Sequence, residues 1–253
     1  MLYIFITLAG LIFGSFASVI IHRLHTQEKG IFVGRSKCPY CAKHLGPLDL
    51  IPVLSYVINK AKCRFCKEPI AFRYPLLELS MGGLFLLTSY LVGTQDPLNL
   101  IFYLVITFVF VLLTFYDFLF KEVPDEISLP ALLISILYML IAGHLSWFSL
   151  LLGVMVPVFF FGALYFGSKG RWIGGGDLRI GALMGSLVGW PYILLSLFLG
   201  YLTGAIYSLI GLAIGKFTRR SQIPFVPFLL LGTYLSMFWG EQMIDWYVSW
   251  VYF

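Results

Sequence analysis

Apolar stretches of about 20 residues follow one another almost from end to end of the sequence, and this pattern restricts the fold most. Such a stretch is long enough to cross the hydrocarbon core of a membrane as a helix. Hydrophobic residues make up 60% of the 253 residues and charged residues only 11%, which is more apolar surface than a water-soluble fold can hide. Runs such as Leu100 to Leu113 are apolar on every side and do not alternate as barrel strands do. The sequence therefore predicts an all-α polytopic membrane protein.

We predict about eight transmembrane helices. The predicted spans are 2–22, 76–94, 98–118, 126–142, 147–166, 178–191, 192–215 and 225–250. Only the turn signal at Pro191 separates the sixth span from the seventh, so a seven-span arrangement that fuses them stays open. The chain is accordingly divided into a first transmembrane helix at 1–22, a cytoplasmic domain at 23–75 and a membrane-embedded domain at 76–253.

The lysines and arginines indicate the orientation, because all 17 fall on one side of an eight-span arrangement. They lie within 23–75, at 121, within 169–179 and within 216–220, and the connections on the other side carry none. Basic residues mark the cytoplasmic side of the bacterial inner membrane, so both termini are predicted to lie outside. The formal charge of +5 then reflects topology and attraction to anionic lipid, with no nucleic acid as partner. The first apolar run has no basic residues before it, so we expect a retained span rather than a cleaved signal.

All four cysteines lie in the polar segment 23–75, in two pairs. Cys38-Pro-Tyr-Cys41 and Cys63-Arg-Phe-Cys66 are separated by 21 residues, just beyond the usual zinc-ribbon spacing. A two-residue gap lets one tight turn direct both sulfurs at a tetrahedral ion, and a second such turn completes the shell. We interpret the four cysteines as ligands of one zinc ion. Two disulfides, which a reducing cytoplasm disfavours, and redox-active or vacant thiols are the alternatives.

Two aspartates stand out, because a carboxylate near the membrane interior is costly. Asp117 ends the third span among apolar and aromatic neighbours, at a helix C-terminus where the macrodipole disfavours an anion. Asp177 follows three glycines, and its ordinary explanation is a helix N-cap after a glycine turn. Asp125 also has an ordinary explanation as the N-cap of the fourth span.

As a pair, Asp117 and Asp177 suggest chemistry. Both are predicted at the cytoplasmic edge of the bundle, on different helices, where two carboxylates could converge. Two close carboxylates cannot both ionise and therefore share a proton. One could then activate a water molecule while the other protonates the carbonyl of a peptide bond. The preceding glycines, Gly174, Gly175 and Gly176, would form an active-site loop that lets an extended substrate approach.

The chain resembles the bacterial type IV prepilin peptidases (leader peptidase/N-methyltransferase) in its motifs and in their order. These enzymes are a GxGD-type family of intramembrane aspartyl proteases. The resemblance also includes Gly14-Ser15-Phe16 with Val19 and Arg23, Asp49-Leu50-Ile51-Pro52-Val53-Leu54-Ser55, Arg73-Tyr74-Pro75 with Glu78, Tyr116, Pro124-Asp125 and Ile223-Pro224-Phe225-Val226-Pro227-Phe228. Two departures occur, since the family commonly has Asn at the position of Ser18 and Gly at that of Val226.

The resemblance implies two activities on the cytoplasmic face. The dyad of Asp117 and Asp177 would cleave the basic leader of a prepilin, pseudopilin or competence pilin after a glycine. The new N-terminal amine would then be methylated with S-adenosylmethionine. The cysteine-bearing segment is similar to the family's zinc-binding cytoplasmic domain. Arg73 and Glu78 are candidates for methyl transfer, with a structural ion pair as the alternative.

Two other functions are compatible with parts of the pattern. A non-catalytic membrane scaffold could use the zinc ribbon to dock cytoplasmic partners. A small transporter could use intramembrane acids for ion coupling, but matching halves with broken helices and internal repeats are not apparent.

Overall fold

The computed structural model describes residues 1–27, 36–218 and 221–251, and nine α-helices lie in these ranges. They are α1 Leu2–Thr26, α2 Leu54–Ile58, α3 Arg73–Val92, α4 Pro97–Phe120, α5 Asp125–Ile141, α6 Trp147–Ser168, α7 Gly175–Val188, α8 Tyr192–Ala213 and α9 Val226–Val251. Four of the basic residues used for the predicted orientation, Lys29, Arg35, Arg219 and Arg220, lie outside the described residues.

Each of the eight predicted spans coincides with a helix, and the all-α class is confirmed. Within the described ranges, five helices are long and apolar enough to cross a membrane, namely α1, α3, α4, α6 and α8. With 17 and 14 residues, α5 and α7 are about 25 Å and 21 Å long. That these two and α9 also cross the membrane stays a prediction. The sixth and seventh predicted spans are separate helices, because α7 ends before Gly189, whose φ of +67° breaks the helix.

The chain forms two compact units, Met1–Phe115 and Tyr116–Phe253. This division follows packing, whereas the predicted boundaries after residues 22 and 75 follow function and stay a prediction. In the first unit, α1 packs closely along α3, because small residues let membrane helices approach. A Cβ atom at Gly14 would lie only 2.6 Å from the Cα atom of Glu78. A buried hydrogen bond of 2.9 Å between the Thr88 and Thr107 hydroxyls joins α3 to α4.

In the second unit, α7 is the most buried helix and packs against α5, α6, α8 and α9. Every residue from Ile180 to Val188 is buried. The backbones of α6 and α7 cross so closely that a side chain at Gly185 would fall on the backbone of Gly153. The hydroxyls of Ser135 and Ser186 are 2.5 Å apart and tie α5 to α7. Because protein surrounds α7, its length need not match the thickness of lipid.

Helices α8 and α9 pack antiparallel, and the contacts between them show which part of α8 lies beside the start of α9. Gly200 lies against Leu229, and Gly204 lies against Phe225 and Phe228. Gly204 is nine residues before the end of α8 at Ala213, which corresponds to about 13 Å. The start of α9 is therefore beside the middle of α8, within the second unit, and not at the end of α8.

Candidate active site and metal centre

Asp117 lies on the last turn of α4 with only 5% of its surface exposed. Its Oδ2 atom accepts a hydrogen bond of 3.1 Å from the backbone N–H of Val226, the first residue of α9. The positive end of the α9 dipole therefore faces the carboxylate. This contact offsets the unfavourable position of Asp117 at the C-terminus of α4.

The proline-rich start of α9 supplies this donor. The N–H groups of Phe228 and Leu229 donate back to the carbonyl of Phe225, and Pro227 has no N–H to donate. The N–H of Val226 belongs to the first turn, where a helix has no partner of its own for its donors. It is therefore available for Asp117.

Asp177 is the third residue of α7 and is 9% exposed. Its Oδ2 atom accepts a hydrogen bond of 3.1 Å from the N–H of Gly174, and its own N–H donates to the Gly174 carbonyl at 3.1 Å. Gly174 is the N-cap, so the ordinary explanation of Asp177 as an N-cap residue is wrong. The side chain instead reaches back over the first turn, as the acidic residue of a capping box does.

Asp117, at the end of α4, and Asp177, at the start of α7, belong to the same compact unit. Their carboxylates are close enough to interact electrostatically. Each accepts a hydrogen bond through its Oδ2 atom from a backbone N–H, and the backbone N–H of Phe225 also interacts with the Asp117 carboxylate. Two buried carboxylates thus interact with each other, and backbone N–H groups hold both.

Asp125 is not the N-cap of α5, so the expected role of this residue is wrong. Helix α5 begins at Asp125, with Pro124 at the cap position and no side-chain cap hydrogen bond. The side chain forms an ion pair with Arg179 of α7 instead, and it is 60% exposed. An exposed, paired carboxylate is an ordinary surface group, which agrees with leaving Asp125 out of the candidate catalytic pair.

The three glycines before Asp177 are not equivalent. A Cβ atom at Gly176 would lie 2.6 Å from a methyl group of Val123, so this position needs glycine for close packing. A Cβ atom at Gly175 would meet nothing within 4 Å, and one at Gly174 would meet only a backbone atom at 3.9 Å. Gly174 and Gly175 therefore leave open space beside the carboxylates.

The four cysteines form one cluster. Their Sγ atoms all lie within 4.8 Å of one another, and the cysteines are free. The sulfurs of Cys38 and Cys66 are 3.8 Å apart. Zinc–sulfur bonds of about 2.3 Å at tetrahedral angles place two sulfurs about 3.8 Å apart. The donor set and its spacing therefore fit a tetrahedral metal ion.

The two cysteine pairs have the same local structure. The N–H of Cys38 donates to the carbonyl of Lys43, and the N–H of Cys63 donates to that of Glu68. In each turn, the N–H four residues after the first cysteine donates back to that cysteine's carbonyl. This repeated hairpin exposes both sulfurs of a pair on one side, so two equivalent turns supply four ligands.

The cysteines differ in acidity. The backbone N–H of Cys66 lowers the pKa of Cys63 to about 7, which favours the thiolate that binds metals. The backbone N–H of Glu68 acts in the same direction on Cys66. There, burial and the three neighbouring thiols outweigh it and raise the pKa of Cys66 to about 12.

Glu78 has a defined structural environment on α3. Its Oε2 atom accepts a hydrogen bond of 2.7 Å from the N–H of Val53, and the hydroxyl of Ser15 on α1 is a second partner. Val53 has a φ of +61°, which is unfavourable for a β-branched residue. Glu78 thus holds a strained turn of the cysteine-bearing segment against two helices. Arg73 lies over the ring of Tyr74, and in the described part of the chain it forms no ion pair with Glu78.

Two residues of the aspartate site did not emerge as functional from the sequence. Val226 belongs to a motif of the resemblance, but its role as a backbone donor depends on where α9 starts. Tyr201 of α8 interacts electrostatically with Asp177, and its ring centroid is 5.0 Å from that of Phe225. Neither aromatic character nor spacing distinguishes it from the other 14 tyrosines.

Fold and sites together define a helical, multi-pass membrane protein with a pair of buried carboxylates and a four-cysteine centre. Residues 104–209 match the type IV leader peptidase family, and residues 8–92 match the bacterial peptidase A24 N-terminal domain.

Curated relatives match over nearly the whole chain. It is 31% identical to the prepilin leader peptidase/N-methyltransferase of Aeromonas hydrophila over 271 residues, covering 96% of this chain and 92% of the relative. It is 30% identical to the protein of the same name from Bacillus subtilis (strain 168), covering 95% of both. Identity to the Legionella pneumophila protein of that name is 28%, covering 98% and 95%. No solved structure matches the chain. The chain belongs to the type IV leader peptidase family, which confirms the resemblance of the motifs.

Proposed function

We propose that this protein cleaves the leader of prepilins and prepilin-like proteins after a glycine, and then methylates the new N-terminal residue with S-adenosylmethionine. The names of the relatives support both activities. The observation that carries the peptidase assignment is the pair of buried carboxylates at Asp117 and Asp177, each of which accepts a hydrogen bond from a backbone N–H. A non-catalytic scaffold would not explain why two carboxylates are buried in a membrane bundle, where burial of a charge is energetically unfavourable.

The proposed hydrolysis uses the two carboxylates in different protonation states. Close carboxylates share one proton, so one accepts a proton from a water molecule while the other donates to the carbonyl oxygen of the peptide bond. The N–H groups of Val226 and Gly174 hold the Oδ2 atoms, and in the proposed mechanism the Oδ1 atoms act on water and substrate. The open space at Gly174 and Gly175 is the proposed entrance for the extended peptide.

Replacement of each aspartate by Asn tests this mechanism, because Asn keeps the size and polarity but cannot share the proton. We expect Asp117→Asn and Asp177→Asn each to abolish leader cleavage of a purified prepilin while the protein still inserts at normal levels. The matched control is Asp125→Asn, since Asp125 is a nearby carboxylate that is exposed and paired. The control should retain most of the activity and lose about 1 kcal/mol of stability or less. Normal processing by either dyad variant would remove that residue from the mechanism.

We propose zinc as the ion of the cysteine centre, held by Cys38, Cys41, Cys63 and Cys66. When bound, the ion would supply folding free energy to a polar segment that has little core of its own. The pairing of two equivalent turns and the sulfur spacing support this assignment.

We further propose that the protein resides in the bacterial inner membrane with both termini outside. The cysteine centre and the aspartate pair would then face the cytoplasm. The one-sided distribution of the basic residues supports this orientation, and the same residues would contact anionic lipid.

For methyl transfer, Glu78 and Arg73 remain candidates. Glu78 joins α1, α3 and the cysteine-bearing segment through its hydrogen bonds to Ser15 and Val53. A buried carboxylate on a membrane helix is often functional. Its position supports a role in holding the segment in the conformation that binds the methyl donor and the new N-terminus. Arg73 begins α3, five residues from Glu78, and its charge is available near that segment.

A further inference from the structure

Tyr201 is held in place by aromatic rings on two sides. Its ring centroid lies 5.0 Å from that of Phe225 at an interplanar angle of 61°, and 5.9 Å from that of Phe160 at 84°. Both are edge-to-face arrangements, which aromatic pairs prefer. Phe225 immediately precedes Val226, whose N–H holds Asp117. The orientation of the Tyr201 ring is therefore tied to the same segment that orients one of the two carboxylates.

Tyr201 also interacts electrostatically with the other carboxylate, that of Asp177. Its hydroxyl forms no hydrogen bond with any of the described residues. A partly buried tyrosine hydroxyl usually has a partner. Tyr201 is 37% exposed, so the protein does not enclose the residue completely.

An extended peptide that enters this site brings backbone carbonyl groups that need hydrogen-bond donors. Water is scarce inside a membrane bundle, and an unpaired carbonyl there is energetically unfavourable. A carboxylate pair that shares one proton offers only one donor. Binding of the peptide therefore requires a further hydrogen-bond donor close to the carboxylates, and this donor must not already be hydrogen-bonded to them.

We propose that the Tyr201 hydroxyl is a substrate-binding group of the peptidase site, donating a hydrogen bond to a backbone carbonyl of the peptide held beside Asp117 and Asp177. This inference rests on the proposed peptidase function and adds a residue to it. The competing explanation is that Tyr201 only fills space between Phe160 and Phe225. In that case the hydroxyl is dispensable and only the ring matters.

Helix α8 provides a matched control. Tyr207 is also 37% exposed, and its ring packs against Phe217 and Phe228 at centroid distances of 5.5 and 5.1 Å. Within the described part of the chain, Tyr207 forms no hydrogen bond with Asp117 or Asp177. Tyr201→Phe and Tyr207→Phe therefore remove the same atom from similar aromatic settings on one helix.

The experiment measures kcat and KM for cleavage of a purified prepilin by the full-length protein and both variants. We expect Tyr201→Phe to lower kcat/KM roughly three- to tenfold, as the loss of one hydrogen bond predicts, mainly through KM. Binding of the same prepilin to the uncleaving Asp117→Asn protein should weaken by a similar factor when Tyr201→Phe is added. Methyl transfer to an already cleaved peptide should be unchanged, which shows that the variant is folded.

The possible outcomes distinguish a failure of the proposed peptidase function from a failure of the proposed role of Tyr201. If the wild-type protein does not cleave a prepilin, the peptidase function is wrong and the inference fails with it. If the wild type cleaves and Tyr201→Phe has wild-type kinetics and binding, the inference alone is wrong. Equal losses in Tyr201→Phe and Tyr207→Phe would also overturn it, because they would indicate a packing effect along α8.

Discussion

Replacement of Val226 by proline isolates one hydrogen bond of the aspartate site. Proline has no N–H, so the variant loses the 3.1 Å hydrogen bond to the Oδ2 atom of Asp117 and keeps the carboxylate itself. The backbone should tolerate the change, because Val226 is the first residue of α9, where proline is favoured. Phe225 accepts the first hydrogen bonds of the helix, as a cap residue does. The extended conformation of a cap suits a residue that precedes proline.

The size of the effect follows from the burial of the acceptor. Asp117 is 5% exposed, so bulk water has little access to the atom that loses its donor. A hydrogen bond to a charged group contributes about 1.5 to 3 kcal/mol. If this energy serves to orient the carboxylate for reaction, cleavage should slow by roughly 10- to 100-fold, at a factor of ten for about 1.4 kcal/mol.

The assay compares initial rates of prepilin cleavage by the wild type, Val226→Pro and Val226→Ala. Val226→Ala keeps the N–H and loses part of a side chain that is 1% exposed, so it controls for packing. Thermal unfolding and methyl transfer to a pre-cut peptide report whether each variant is folded. We expect Val226→Ala to cleave much faster than Val226→Pro. Equal rates for the two variants would refute the reasoning, because the hydrogen bond would then make no contribution of its own.

Three further predictions concern packing, metal and methyl transfer. Gly176→Ala should lower the unfolding temperature and the cleavage rate because its Cβ atom would clash with a neighbouring side chain, whereas Gly175→Ala has open space and should change little; equal effects would contradict this difference. The wild type should contain about one zinc ion per chain by elemental analysis, since four thiolates complete a tetrahedral shell. Cys63→Ser should reduce the zinc content and increase protease cleavage between residues 36 and 72. Unchanged zinc content in the variant would argue against the four-cysteine centre. Glu78→Gln should still cleave prepilin but methylate a pre-cut peptide poorly with labelled S-adenosylmethionine; normal labelling would limit Glu78 to a structural role.

The local parts of this protein were readable from the sequence. Each predicted span became a helix, because a long apolar run satisfies its backbone hydrogen bonds within itself whatever surrounds it. The cysteine pairs were equally clear, since a two-residue gap determines the turn that directs both sulfurs to one side. Asp117 and Asp177 were singled out because a charge is unexpected among apolar residues, and the structure shows both side chains buried in the second compact unit.

Tertiary structure alone decided how those residues are held. The donor to Asp117 lies 109 residues further along the chain, and it is in place only because α9 begins beside the middle of α8. Sequence reasoning gave Asp177 and Asp125 the same ordinary explanation, as caps, although it selected Asp177 for the catalytic pair. Packing instead gave Asp177 a buried position inside the first turn of α7 and gave Asp125 an exposed ion pair with Arg179.

The interactions of Tyr201 and Glu78 also could not be predicted from the sequence. Tyr201 is one aromatic residue among many, and only the packing of α8 gives it a ring contact with Phe225 and an electrostatic interaction with Asp177. Glu78 was expected near Arg73, but it bonds to Val53, 25 residues earlier in the chain. The composition of a segment determines its secondary structure and its place in a membrane. Hydrogen bonds between distant segments depend on the angles and offsets at which helices pack, and no local pattern of residues encodes these.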